Sequence, residues 1–150
     1  MGTLNKILIS AHSGWRWVVL ILLLVAIAKA FSSWKKKADY TDANRKLNLF
    51  TMIAFHLQWT IGLVLYFTSA KRQFVEGWMS NEMFRFYGLE HILLMTIAFV
   101  LITIGHSKSK KQVDQVKIHK TIFVFYTVAL LLILAGIPWP FREGLAAGWF

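Results

Sequence analysis

Residues 121 to 141 read TIFVFYTVALLLILAGIPWPF and contain no Asp, Glu, Lys or Arg. A helix needs roughly 20 predominantly apolar residues to cross the hydrocarbon core of a bilayer. A second uncharged run, LNLFTMIAFHLQWTIGLVLYFTSA, covers residues 47 to 70. Each run is therefore long enough and apolar enough to be a membrane-spanning helix.

Two further runs are almost free of charge. Residues 86 to 107 carry one ionised side chain, Glu90, and residues 7 to 34 carry Arg16 and Lys29. A lysine near the end of a span can extend to the interface, whereas Arg16 lies two turns inside its run. The four runs predict spans over about residues 9–31, 47–69, 84–107 and 118–138.

The composition of the chain argues against an ordinary soluble domain. Of its 150 residues, 57% are hydrophobic and only 16% are charged, and the mean hydropathy is +0.52. About a quarter of the residues are charged in typical soluble domains. Because the predicted loops are short, we expect a single all-α domain over residues 1–150, an integral-membrane antiparallel four-helix bundle with up-down-up-down topology.

Charge is distributed unequally between the two sets of connections. Residues 29–46 and 108–120 hold 11 Lys and Arg against three Asp, whereas the opposite face holds six basic against four acidic residues. The positive-inside rule places the first set in the cytoplasm and both termini outside. The same rule explains the net charge of +10, so the expected partner is a lipid bilayer and no nucleic-acid partner is expected.

Five histidines carry most of the functional information. Each lies in a predicted span or within a residue or two of its end, where ionisable residues are costly and are functional candidates. A single one could equally be a hydrogen-bonding residue between helices. The five are His12, His56, His91, His106 and His119.

Helical spacing limits how these histidines can pair. His91 and His106 are separated by about 22 Å along one helix and by roughly 60° around it, so they share a face at opposite membrane levels. His106 and His119 flank the short basic loop at similar depth. His91 can reach either His56 or His12, and the spacing does not choose between them.

The chemistry of the set favours bis-histidine haem. Imidazole suits iron, copper, zinc and nickel, but the chain has no His-Glu-x-x-His pattern and no carboxylate cluster beside the histidines. It also has no cysteine, which excludes thiolate ligands and haem attached through C-x-x-C-H. One or two haem b groups need only facing imidazoles and a slot between helices. The candidate iron ligands are His56, His91, His106 and His119.

Two further residues are candidates for cofactor binding. His12 is an alternative partner for His91. Arg16 can bind a haem propionate or form an ion pair with Glu90, and these two possibilities stay open. Arg85 is a second candidate for a propionate.

The sequence resembles the small four-helix bacterial membrane proteins described as cytochrome-B-like. The resemblance covers nearly the whole chain and is carried by HSGWRW (12–17), HLQ (56–58), GLVLYF (62–67), EH (90–91), GHSK (105–108), HKT (119–121) and IPWP (137–140). Through QWTIG (58–62) the chain is also loosely similar to one half of haem A synthase and to other four-helix b-type cytochromes. It lacks the second half of such synthases. The resemblance implies haem b and electron transfer in the bacterial inner membrane.

The leading hypothesis is a b-type cytochrome that transfers electrons between a quinol, or a membrane or periplasmic partner protein, and another redox centre. Whether it is itself an enzyme is left open. One alternative is a membrane protein that handles copper or another metal through the same imidazoles, although its five methionines form no Met-x-x-Met motif. The other is a structural subunit of a larger membrane complex, in which the histidines join helices by hydrogen bonds.

Overall fold

A computed structural model describes residues 2–149, and this part of the chain is helical and contains no strand. It has four long helices: α1 (Thr3–Lys35), α2 (Asp42–Thr68), α3 (Glu82–Lys111) and α4 (Gln115–Gly136). Short 3-10 turns cover Trp78–Ser80 and Glu143–Leu145. The prediction of an all-α fold with four long apolar helices is confirmed.

Each helix overlaps one predicted span and begins before it. α1 and α3 also continue past the end of their spans, by about one turn each, into the basic segments. α2 ends at Thr68 and α4 at Gly136, close to the predicted ends. All four helices are long and apolar enough to cross a membrane.

Local signals define where the helices begin and end. The Thr41 hydroxyl accepts a hydrogen bond from the Asn44 amide at the start of α2, and the Asp114 carboxylate accepts two at the start of α4. Such caps satisfy amides that have no partner inside the helix. α4 ends at Gly136, two residues before Pro138, which cannot continue a helical hydrogen-bond ladder. The connections before α2 and α4, which contain these caps, are short.

α3 contains a π-helical turn over Phe86–Glu90, immediately before His91. The wider turn changes the rotation of the helix at this point, and such insertions are frequent at functional sites. The carbonyl of Gly88, within the turn, accepts a hydrogen bond of 3.0 Å from the Tyr66 hydroxyl of α2. The turn thus helps to set the direction in which the His91 side chain points away from the helix axis.

Hydrogen bonds join α1 and α2 along their length. Asn5 bonds to the Thr68 carbonyl, Gln58 to the His12 carbonyl, and Thr51 to the Leu22 carbonyl. In these three bonds the residue numbers on α2 decrease as those on α1 increase, so the start of α1 lies beside the end of α2.

α4 packs against both α3 and α1, and the three helices share an apolar core with α2. Two glycines allow close approach of α3 and α4: a Cβ at Gly105 would lie 2.5 Å from Phe125 Cβ, and one at Gly136 would lie 2.5 Å from Met95 Cε. The centre of the core consists of side chains with no exposed surface, namely Leu23, Ala26, Ala98, Ile102, Ile122, Tyr126 and Ala129.

The outer surface of the helices is apolar in their middle turns. Ile21, Phe50, Leu93 and Leu131, one on each helix, are all more than half exposed. Many large apolar side chains are exposed in this way along the four helices, whereas water-soluble monomers seldom expose extensive apolar surface. The pattern is the one expected of helices that face lipid.

Candidate cofactor site between His12 and His91

His91 has one ring nitrogen occupied by a backbone contact. Its Nδ1 lies 2.7 Å from the carbonyl oxygen of Gly136, at the end of α4. A carbonyl can only accept, so this hydrogen bond requires the proton to be on Nδ1. The tautomer leaves Nε2 with its lone pair free, which is how metal-binding histidines are commonly oriented.

The nearest imidazole to His91 among the ring contacts is that of His12. The two ring centroids are 6.3 Å apart and the ring planes are inclined at 77°. His12 lies on α1 and its ring contacts α2 at Gly62, where an added Cβ would come within 2.9 Å of His12 Cε1. A side chain at position 62 would therefore require the imidazole to shift. The Gln58 amide donates to the His12 carbonyl at 2.8 Å and holds the two helices together at this level.

A cavity of about 370 Å³ opens beside this pair and is lined by both imidazoles. Its volume is within the range of small-molecule and cofactor pockets. Most of its wall is apolar and comes from all four helices, with the side chains of Val19, Phe55, Leu65, Met95, Ile133 and Ile137 among the lining residues.

Unsatisfied polar atoms are concentrated around the cavity. In the described residues, six buried side-chain atoms have no hydrogen-bond partner. Four of them belong to lining residues: His12 Nδ1, Arg16 Nε, Gln58 Oε1 and Arg72 Nε. Buried polar groups in proteins are nearly always satisfied. Their concentration at one cavity therefore indicates a site that is completed by a ligand.

The spacing of the imidazole pair fits a haem iron. Metal–imidazole bonds are about 2 Å long and the ring centre lies roughly 1.1 Å further on, so trans imidazoles on one metal have centroids about 6 Å apart. The observed 6.3 Å agrees with this value. By the separation of their ring centres, His12 and His91 are the two residues that would hold a haem, if one binds here.

The spacing of the histidines in sequence leaves open whether His12 or His56 lies beside His91, and in the structure the contacting ring is that of His12. His56 does not line the cavity. Its Nε2 lies 2.9 Å from the Thr103 hydroxyl of α3, and its ring stacks on Phe99 with a centroid distance of 4.3 Å. His91 therefore faces His12, while His56 joins α2 to α3.

His106 and His119, expected to pair across the basic loop, have separate surroundings. His119 Nε2 lies 3.2 Å from the Ala38 carbonyl and its ring contacts Tyr40, whereas His106 is buried with no partner for Nδ1 in the described part of the chain. No ring contact between the two occurs within residues 2–149. The reason is the register of the α3–α4 hairpin.

That register is given by two contacts. Gly105 packs on Phe125, and the Thr121 hydroxyl donates to Gln112. His119 consequently lies at least one helical turn nearer the loop than His106. His106 and His119 are close to the loop in sequence, but this closeness does not make their side chains face each other.

Arg16 lines the cavity and is only 8% exposed, and one of the two alternatives left open for it is not observed. Its Nη2 donates to the Trp149 carbonyl at 2.7 Å, and Glu90 pairs instead with Arg85 at 2.7 Å. The predicted alternative of an Arg16–Glu90 ion pair is therefore not formed, because Glu90 lies within reach of an arginine on its own helix. The ion pair with Glu90 also engages Arg85, which was the second candidate for binding a propionate.

The C-terminal segment forms part of the site, and nothing in the sequence indicated this. The Tyr87 hydroxyl donates to the Leu145 carbonyl at 3.1 Å, and Lys71 Nζ donates to the Ala146 carbonyl at 2.7 Å. Ala146, Ala147 and Gly148 line the cavity. Sequence reasoning also missed Gln58, although an amide in an uncharged apolar run was an available signal.

Comparison with protein-family models, with curated proteins and with solved structures gives no match to this chain. The functional interpretation therefore rests on the residues and contacts described above.

Proposed function

We propose that the protein is an integral-membrane b-type cytochrome that binds one haem b between His12 and His91. The observation that carries the proposal is the imidazole pair at 6.3 Å, beside a cavity where buried polar atoms lack partners. Haem supplies reversible one-electron exchange between its ferric and ferrous forms. The proposal agrees with the resemblance to cytochrome-B-like membrane proteins.

The residues around the pair have defined tasks in this proposal. The Gly136 carbonyl holds the proton of His91 on Nδ1 and keeps Nε2 available as a ligand. Gly62 gives His12 room against α2. The apolar walls from the four helices exclude water, and Arg16 provides positive charge at one end of the cavity.

The membrane arrangement is part of the same proposal. The four helices form an antiparallel up-down-up-down bundle in the bacterial inner membrane, with both termini outside. The lipid-facing apolar surface and the basic segments 29–46 and 108–120 support it. The haem would then lie toward the outer side and exchange electrons with a quinol or with a membrane or periplasmic partner protein.

A bare metal ion is less well supported than haem. No group of three or more His, Cys, Asp or Glu side chains suited to a metal gathers within residues 2–149. Zinc and copper sites in proteins generally need three or four protein ligands. A haem brings four nitrogen ligands of its own and needs only the imidazole pair.

His56 and His119 fit a structural role better than a second haem site, and His106 has no facing imidazole among the described residues. His56 and His119 each hydrogen-bond to a different element, Thr103 of α3 and the Ala38 carbonyl before α2. We assign these two to helix packing. The proposal is therefore one haem per chain.

The test is the absorption spectrum of the protein purified in a neutral detergent, oxidised and then reduced with dithionite. We expect a low-spin b-type spectrum with a Soret band that shifts on reduction, and a pyridine haemochromogen assay that gives one haem b per chain. Protein that neither retains haem from the membrane nor takes up added haemin would contradict the proposal.

A further inference from the structure

Three cations line the same cavity: Arg16 of α1, and Lys71 and Arg72 in the connection after α2. The lining residues include no Asp or Glu. Glu90 pairs with Arg85 and Glu82 with Arg142, and Glu76 and Glu143 are not among the lining residues. The cavity wall thus carries positive charge without a counter-ion of its own, at the end where Arg16 and Lys71 contact the C-terminal segment.

The present partners of these cations are neutral. Lys71 Nζ donates to the Ala146 carbonyl and Arg16 to the Trp149 carbonyl, both at 2.7 Å. The Arg72 guanidinium lies over the ring of Tyr66 at 4.8 Å and over that of Phe74 at 5.3 Å. None of the three forms an ion pair within residues 2–149.

Two of the guanidinium groups also have an unused donor. The Nε atoms of Arg16 and Arg72 are buried without a hydrogen-bond partner among the described residues, and the whole Arg16 side chain is 8% exposed. Burying a cation with neither a counter-ion nor a full set of hydrogen bonds is costly. An anion at this end of the cavity would remove the cost.

We infer that Arg16, Lys71 and Arg72 form a carboxylate-binding end of the cavity, so that its ligand is an amphipathic molecule with an apolar body and acid groups at one end. The inference rests on the proposed function and deepens it, because haem b has this form and its two propionates would lie at these cations. Guanidinium and ammonium groups bind carboxylates through charge-assisted hydrogen bonds. The cations at one end of the cavity and the apolar wall elsewhere would then determine the orientation in which haem is bound.

Porphyrin esters separate this inference from haem ligation. The detergent-purified protein is titrated with haemin, haemin dimethyl ester, metal-free protoporphyrin IX and its dimethyl ester, and binding is followed by Soret absorbance and tryptophan fluorescence. Metal-free porphyrin has no iron for the imidazoles to bind, so its affinity reports the cavity and the cations alone. The variants are Lys71→Gln and Arg72→Gln, and the control is Lys6→Gln, which removes one charge from an exposed residue near the start of α1.

We expect each free acid to bind at least about tenfold more tightly than its ester, the size expected of charge-assisted hydrogen bonds. Arg72→Gln and Lys71→Gln should each reduce this preference by several-fold without weakening ester binding, and Lys6→Gln should leave it unchanged. Equal affinity for acid and ester, or an equal loss for both in the variants, would overturn the inference.

The two proposals can fail separately in this experiment. Haemin that binds with a low-spin spectrum but without preference over its ester leaves the cytochrome standing and overturns the carboxylate end. Acid-selective binding of metal-free porphyrin without iron ligation by haemin leaves the carboxylate end and contradicts the cytochrome. Failure of every porphyrin to bind contradicts both.

Discussion

At the scale of single residues, the site depends on how closely His12 can approach α2. Gly62 has no Cβ, and one placed there would lie 2.9 Å from His12 Cε1. The imidazole, whose ring contacts that of His91, would have to move. A methyl group on α2 would thus displace one of the two proposed ligands.

Gly62→Ala should therefore lower the haem content or convert the spectrum from low-spin to high-spin, although alanine is the better helix former. Gly14→Ala is the matched control, because no atom lies within 4 Å of its added Cβ. The measurement is the haem-to-protein ratio and the oxidised spectrum of both variants. A Gly62→Ala protein with the parental spectrum would show that His12 does not need this contact to bind iron.

The residue types of the site were readable from the sequence, but their pairing was not. His12, His91 and Arg16 are conspicuous because each interrupts an apolar run. Which imidazole faces His91 depends on the π-helical turn before it and on the contact between α1 and α2 at Gly62. The contribution of Lys71 and of the segment from Leu145 to Trp149 depends on tertiary contacts that no local pattern reports.

At the scale of elements, a polar network holds the α1–α2 connection against α4. His119 bonds to the Ala38 carbonyl and contacts the Tyr40 ring, and Asn48 of α2 donates to the Tyr40 hydroxyl at 2.9 Å. The Tyr126 hydroxyl of α4 in turn donates to the Asn48 carbonyl at 2.9 Å. The network explains why a histidine lies at this end without a facing imidazole.

His119→Ala should destabilise the protein by about 1–2 kcal/mol, the usual cost of losing one buried hydrogen bond with its packing, and leave the haem content unchanged. Thermal unfolding in detergent and the haem-to-protein ratio are measured on the same preparation. The exposed Lys110 is the control position, and Lys110→Ala should change neither quantity. Loss of haem from His119→Ala at parental stability would instead make His119 an iron ligand.

Because Tyr40 is partly buried, we expect the parent and the Tyr40→Phe variant to differ in how their stability changes at alkaline pH. Burial raises the pKa of Tyr40 above its ordinary value of 10.0. The folded protein therefore favours the neutral phenol, and this contribution to stability is complete below pH 10 and is lost as the pH rises through the raised pKa. Between about pH 8 and pH 11, the unfolding midpoint should fall further for the parent than for Tyr40→Phe. Parallel pH profiles for the two proteins would contradict this assignment.

The helices themselves were the most predictable level of structure. Uncharged runs of more than 20 residues leave a chain few alternatives to a spanning helix, since every backbone polar group must be satisfied within it. The ends were less predictable, because caps such as Thr41 and Asp114 and the continuation of α1 to Lys35 lie in polar sequence. Hydropathy does not record those features.

At the scale of the whole molecule, the charge distribution makes a topological prediction. The chain contains no cysteine, so single cysteines can be introduced without removing native ones. Lys36→Cys and Lys111→Cys lie in exposed positions of the two basic segments, and Glu76→Cys lies in the exposed connection between α2 and α3. A membrane-impermeant maleimide added to intact spheroplasts should label position 76 and spare positions 36 and 111. Labelling of position 36 or 111 from outside would reverse or break the proposed topology.

The central claim is that His12 and His91, one from α1 and one from α3, bind the same haem iron. The most direct measurement is low-temperature electron paramagnetic resonance of the oxidised protein, compared among the parent and the His12→Ala, His91→Ala and His56→Ala variants at equal haem occupancy. We expect a low-spin ferric signal in the parent and in His56→Ala, and its replacement by a high-spin signal in both His12→Ala and His91→Ala. A low-spin signal that survives His12→Ala but disappears in His56→Ala would contradict the claim.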